Sequence, residues 1–366
     1  MSFMHRLSSA LFALSFTVAT QAYAEQKQLK LYNWVSYIDQ ELIDEFTAQT
    51  GIEVIYDTFD SNDTLLAKTL AGNSGYDIVV PSDFVVTYLM QADRLHPLDK
   101  SQLPNYKNIW PLALERLEAF EGINDYAIPY FWGTTGIGYD ANKIKALVPD
   151  APLNSLELLM NPKYAEKISQ CGIYMIDNPS ELLPIFNMYL SASDPESTAN
   201  DDLKKVDEAL RNIRPYIKKF HSSEYISALA NGDACMALGW SGDFYLARTS
   251  AEEAGRTTDL QYAIPKEGTI IWFDEFVILK EAQNIDEAYA FINFMLDPKN
   301  SAKAANNAMY ATANQAAFEY MAPKLRDNPI LFPPEESLQN IHIKQPYPIS
   351  EQKKIMRMWM NMKKSK

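Results

Sequence analysis

Aromatic residues stand beside carboxylates or hydroxyls at four places in the chain: Trp34 with Ser36 and Tyr37, Ser82-Asp83-Phe84, Trp240 with Asp243, and Trp272 with Asp274. The faces of indole and phenol rings attract ammonium groups through the ring quadrupole and also cover methylenes, while a buried carboxylate neutralises one cation. The chemistry these pairs suit is capture of an organic cation. In Trp272-Phe273-Asp274 the alternation of a strand turns Trp272 and Asp274 to one side, so one strand offers both a stacking face and a charge partner. Taken singly, each cluster reads better as core aromatics beside helix-capping acids. Four clusters at like positions change that balance.

Other chemistry is scarce. Beyond the N-terminal leader described below, the histidines are His96, His221 and His342, with no i,i+4 pair, no HExxH and no cysteine cluster. No metal site and no cofactor is therefore expected. Gly133-Thr134-Thr135-Gly136-Ile137-Gly138 lacks both the GK[ST] of a phosphate-binding loop and the spacing of a dinucleotide fingerprint, so these glycines are assigned to close backbone packing. His221-Ser222-Ser223 puts a base beside hydroxyls, but neighbours on a strand face opposite ways and no GxSxG elbow accompanies them. Catalysis is not expected.

The aromatic and acidic pairs need a scaffold, and the hydrophobic pattern supplies an α/β one. Short β-like runs alternate with amphipathic helical stretches: Leu29–Tyr32, a helix over Gln40–Thr50 stopped by Gly51, Ile52–Tyr56, a helix over Thr64–Leu70, then Asp77–Val80. The rhythm returns in Gly172–Ile176 before a helix from Glu181, in Ala234–Gly239 before a helix from Gly242, and in Phe273–Leu279 before Ile285–Leu296. This is the βαβ order of open sheets, whose ligands lie beyond the carboxyl ends of the strands. Length points to two sheet-centred lobes. The Pro-rich stretches at 328–334 and 345–348 read as surface connections, and Glu351–Lys366 reads as a helix with a solvated basic face.

Composition limits the partners. A 47% hydrophobic, 22% charged chain is an ordinary globular one, and 47 acids against 33 bases leave a formal charge of −14 that repels polyanions and attracts cations. Nucleic acid is excluded as an expected partner. At the N-terminus, His5 and Arg6 precede an apolar run over Leu7–Ala19, and Ala22-Tyr23-Ala24 supplies the small-x-small pattern of a cleavage site. Residues 1–24 are read as a signal peptide cut after Ala24, too short in its apolar run to span a bilayer. Export sends the chain to an oxidising compartment, where the lone pair Cys171 and Cys235 is expected to form a disulfide.

These residues together carry a resemblance. The segments Leu31-Tyr32-Asn33-Trp34, Asp57–Asn62, Val80-Pro81-Ser82, Trp132–Tyr139, Phe220–Ser223, Gly239–Asp243 and Tyr310-Ala311 are similar to those of the periplasmic polyamine-binding proteins of ABC transporters, over essentially the whole mature chain. The resemblance implies a two-lobed type II periplasmic-binding-protein fold with ligand in the cleft between the lobes, lobe 1 from 25–135 with 274–319 and lobe 2 from 136–273 with 320–366. It also implies a periplasmic, monomeric receptor that hands spermidine or putrescine to a membrane permease, without inserting in the membrane itself. By position it implies Trp34, Trp240, Trp272 and Tyr310 over the methylene spine, Asp243 and Asp274 on ammonium, Glu181 at the other end of the ligand, and Tyr37, Ser82 and Ser222 as further hydrogen-bonding groups. Cys171 and Cys235 fall where the putrescine-binding branch has a disulfide.

The departures concern which amine is bound. Trp34-Val35-Ser36-Tyr37 replaces the Trp-Ser-Asp-Tyr of the putrescine branch, Trp272 stands where spermidine binders have Trp, Asn178 where they have Asp, and Phe84 where they have Tyr. Gln345 matches their late glutamine loosely. These signals conflict, with a slight balance towards spermidine, and cadaverine and agmatine remain open. A competing role for the same site is a periplasmic sensor reporting to a membrane-bound signalling protein.

Overall fold

Asp39 and Gly51 bracket the first helix. The Asp39 carboxylate accepts a hydrogen bond from the Leu42 amide, and Gly51, at φ 73°, provides the left-handed stop that a side chain would resist. Between them helix Gln40–Thr50 buries Leu42, Ile43 and Phe46, the last edge-on to Phe291 and Phe294 of helix Ile285–Met295. Such units repeat through the computed structural model, which describes residues 27–334, 337 and 340–365. The signal peptide expected over 1–24 lies outside those residues.

Among the described residues eleven strands form the sheet: β1 (Gln28–Trp34), β2 (Glu53–Phe59), β3 (Ile78–Val79), β4 (Ala127–Asp140), β5 (Ile173–Met175), β6 (Lys219–Phe220), β7 (Met236–Trp240), β8 (Leu260–Ala263), β9 (Thr269–Ile278), β10 (Ala311–Thr312) and β11 (Ile341–Ile343). The main path runs β2-β1-β3-β9-β4-β7-β5-β6. β1 is parallel to β2 and β3 on one side, and β5 is parallel to β6 and β7 on the other. Strand β4 joins them: its residues from Ala127 to Thr134 pair antiparallel with β9, and from Thr135 to Tyr139 they pair with β7. The α/β architecture with two lobes expected from the sequence is thus present, and one strand threads both halves.

Most elements fall where the hydrophobic pattern puts them, with three differences. β4 is unannounced by alternation because all 14 of its residues are buried, so neither face is polar, and Pro129 with three glycines reads as a loop. Those glycines do serve close packing. A Cβ at Gly133 would come within 2.6 Å of the Trp272 ring, and one at Gly138 within 1.9 Å of the Phe244 ring.

The Pro-rich stretches are more than surface connections. Asn328, Ile330, Leu331 and Tyr347 are buried, and β11 just upstream of Gln345 pairs in parallel with β9. The C-terminal helix Ile349–Lys364 has a solvated side, but Ile355, Trp359 and Met362 are buried, and the Trp359 indole and the Lys363 ammonium both donate to Asp177. The tail is a packed element. Cys171 and Cys235 form the expected disulfide, their Cα atoms 5.5 Å apart, just before the starts of β5 and β7.

Candidate functional site

Four strand ends meet at one cavity. β1 ends at Trp34, β3 leads through Val80-Pro81 into Ser82 and helix Asp83–Gln91, β5 leads into helix Pro179–Tyr189 carrying Glu181, and β7 ends at Trp240 before helix Ser241–Glu253 carrying Asp243. β9 passes through with Trp272 and Asp274, and Tyr310 comes from the turn before β10. The structure brings all ten sequence-selected residues, Trp34, Tyr37, Ser82, Glu181, Ser222, Trp240, Asp243, Trp272, Asp274 and Tyr310, to the wall of this cavity. Its volume is about 100 Å³, several times the ~10–15 Å³ that one water needs on the same measure.

Three carboxylates in the wall are buried, and each is held by neutral donors. Asp274 accepts from the Tyr37 hydroxyl at 2.7 Å and the Ser82 hydroxyl at 2.6 Å; Ser82 is in turn fixed by the Asn62 amide at 2.9 Å. Asp243 accepts from the Tyr225 and Tyr310 hydroxyls, both at 2.5 Å. Glu181 accepts from Thr135 at 2.6 Å, the Trp240 indole at 2.7 Å and Asn178 at 2.7 Å. None of the three has a basic side chain within ion-pair distance among the described residues. Desolvation therefore dominates: it raises Asp274 to about 7 and Asp243 to about 6, and raises Glu181, against the lowering effect of their hydrogen bonds. A cation entering this cavity supplies the missing partner.

Aromatic faces enclose the space between the acids. Trp34 meets Trp240 edge-on with centroids 6.0 Å apart, Trp272 lies 5.7 Å from Tyr310, and Tyr37 lies 5.3 Å from Tyr310. Gly242 makes the Tyr310 contact possible, since a Cβ there would come within 2.5 Å of that ring. Ser222 lines the wall, and its hydroxyl accepts from the Asp177 amide at 3.2 Å. His221 does not pair with it: the ring nitrogen Nδ1 accepts from the amides of Ser223 and Glu224 and holds the start of helix Glu224–Asn231.

Other wall residues escaped the reading of the sequence. Tyr225 and Thr135 position carboxylates from positions with no cluster signature. Lys344 is the larger omission. It is 1% exposed, lines the cavity, and follows the β11 run Ile341-His342-Ile343, where a lysine looks like the end of a surface strand. Burial lowers its ammonium to about 8 against the raising effect of Glu196, Asp83 and Glu181.

Comparison with known proteins fits this geometry. Residues 41–333 match the family described as bacterial extracellular solute-binding protein. The chain belongs to that solute-binding family. It is 41% identical to the putrescine-binding periplasmic protein SpuD of Pseudomonas aeruginosa, covering 99% of this chain and 100% of that one. It is 42% identical to the putrescine-binding periplasmic protein PotF of Escherichia coli, covering 90% and 89%. A putative spermidine/putrescine ABC transporter structure from Listeria monocytogenes superposes with a TM-score of 0.83 at 32% identity, covering 93% and 100%. Among the described residues, no helix of this solute-binding protein is long and apolar enough to cross a membrane.

Proposed function

We propose that this protein captures a polyamine in the periplasm and delivers it to an ABC permease. The observation that carries this reading is the set of three buried carboxylates, Glu181, Asp243 and Asp274, with no basic side chain within ion-pair distance among the described residues, along an aromatic-walled cavity. A desolvated carboxylate is costly unless a cation meets it. An alkyl amine fits on both counts: its ammonium groups satisfy the acids, and Trp34, Trp240, Trp272 and Tyr310 cover its methylenes. The relatives SpuD and PotF, both putrescine-binding periplasmic proteins, support the same ligand class and compartment.

In this reading Asp243 and Asp274 hold one end of the amine and Glu181 the other. Tyr37 and Ser82 fix the Asp274 carboxylate, and Ser222 adds a hydroxyl to the wall. The lobes divide within β4 near Thr135, with 25–135 and 274–319 in lobe 1, and 136–273 and 320–366 in lobe 2. The change of pairing partner from β9 to β7 at Thr134 and Thr135 supports that division. Tyr310 reaching Asp243 and Trp34 reaching Trp240 are then contacts across the cleft, of the kind closure makes. Export would remove residues 1–24. Binding without turnover is the proposed activity, as in the relatives named for binding.

Titration calorimetry of the mature chain against putrescine, cadaverine, agmatine, spermidine and spermine tests the reading. Saturable 1:1 binding of at least one is expected. No heat and no thermal shift with any of them overturns it.

A further inference from the structure

Lys344 places a cation in the wall of the cavity. Its Nζ lies 4.1 Å from the centre of the Phe84 ring and 4.6 Å from that of Tyr347, and donates to the Gln345 carbonyl at 2.9 Å. No carboxylate lies within 4.0 Å of it among the described residues. Held by ring faces and one carbonyl, the ammonium is bound much as a free alkyl amine would be. The acids whose field acts most on it are Glu196 and Asp83, followed by Glu181 of the cavity wall.

The charges in the wall can be counted. Glu181, Asp243 and Asp274 bring three negative charges when ionised and Lys344 one positive, which leaves two to be matched; Asp60, the remaining acid of the wall, is exposed at the mouth. Two is the charge of a diamine. A third ammonium has no carboxylate of the wall left, and one aromatic face of the wall, Phe84, already carries Nζ.

We infer that Lys344 is a specificity-determining residue that stands in for a third ammonium, so that the site takes linear diamines and rejects triamines. The inference rests on the polyamine reading above and deepens it. It also reverses the slight balance towards spermidine that Trp272 gives the sequence. The mechanism is repulsion rather than loss of contact: a triamine must bring its extra charge beside an ammonium that cannot leave.

The test measures putrescine, cadaverine and spermidine by calorimetry on the wild-type mature chain and on Lys344→Met, Lys344→Gln and Lys344→Arg, with thermal melts to confirm folding. The wild type is expected to prefer a diamine over spermidine by at least about tenfold, like charges in a desolvated site being strongly disfavoured. Lys344→Met and Lys344→Gln should move that ratio towards spermidine by at least about tenfold, and Lys344→Arg should keep it. A wild type that binds spermidine as tightly as putrescine overturns this inference and leaves the polyamine reading standing. So does a folded Met or Gln variant with an unchanged ratio. Failure of every amine to bind the wild type overturns both.

Discussion

At the scale of single residues, the site is built from carboxylates that the fold keeps partly reluctant to ionise. Asp274 at about 7 and Asp243 at about 6 are raised by desolvation, and a bound ammonium reverses this by favouring the charged form. Amine affinity is therefore expected to fall by up to about three orders of magnitude from pH 8 to pH 5, as both groups take up protons that the ligand must displace. Calorimetry across that range, in buffers of different ionisation heat, would show proton release; an affinity independent of pH would show that neither acid holds the ligand. The free protein obeys the opposite sign. Because these carboxyls bind protons more tightly folded than unfolded, their contribution to stability is complete below about 4 and is lost as pH rises through 6 and 7. Asp83, raised to about 8 by burial, acts the same way. Without ligand, the melting temperature contributed by these groups should drop between pH 5.5 and pH 8, while the shift that ligand produces should grow. Asp274→Asn tests the residue directly, with an expected loss of about 2–5 kcal/mol in binding, the scale for breaking a buried charge pair. An unchanged affinity would remove Asp274 from the ligand's partners.

At the scale of elements, legibility followed the visibility of the pattern. Helix Gln40–Thr50 could be read to the residue because it has an amphipathic stripe and the glycine stop Gly51. Strands β1, β5, β7 and β9 could be placed to within a few residues because a short apolar run precedes each helix or turn. Since ligands gather at strand ends, seven of the ten could be selected from the aromatic and acidic clusters there, and Glu181, Ser222 and Tyr310 from the family resemblance; all ten reached one cavity. What stayed hidden had no local signature. β4 is buried throughout and rich in glycine, Tyr225 lies inside an ordinary helix, and Lys344 is buried with its ammonium over the ring of Phe84, far earlier in the sequence. β4 also yields a prediction. Gly138 lies against the Phe244 ring, so Gly138→Ala forces one of the two to move, and overpacking of this kind costs about 1–3 kcal/mol. A thermal or urea melt of the variant should show that loss with ligand and without. A melt equal to the wild type's would mean the helix Ser241–Glu253 can shift freely, and that β4 does not fix Asp243 in place.

At the scale of the whole molecule, two features act without touching the ligand. One is the Cys171–Cys235 bridge, which closes a loop of 64 residues; the chain-entropy account gives it about 4 kcal/mol of stability. The double Ser variant should lose stability on that scale in a urea melt while keeping its amine preference, since neither cysteine lines the cavity. The other is the net charge of −14. Most of those acids are on the solvated surface, whereas Glu181, Asp243 and Asp274 are inside, and salt distinguishes the two populations. Surface charge draws a cation from solution over distances comparable to the screening length, ~10 Å at 0.1 M salt and shorter above it. Pairs made inside the cavity are shielded from mobile ions. Raising salt from about 20 to 300 mM should therefore slow association of a diamine severalfold, as steering weakens, and leave dissociation nearly unchanged. Stopped-flow measurement of the Trp34 and Trp240 fluorescence change can separate the two rates. A salt effect confined to dissociation would place the decisive charges at the exposed mouth, with Asp60, rather than on the three buried carboxylates.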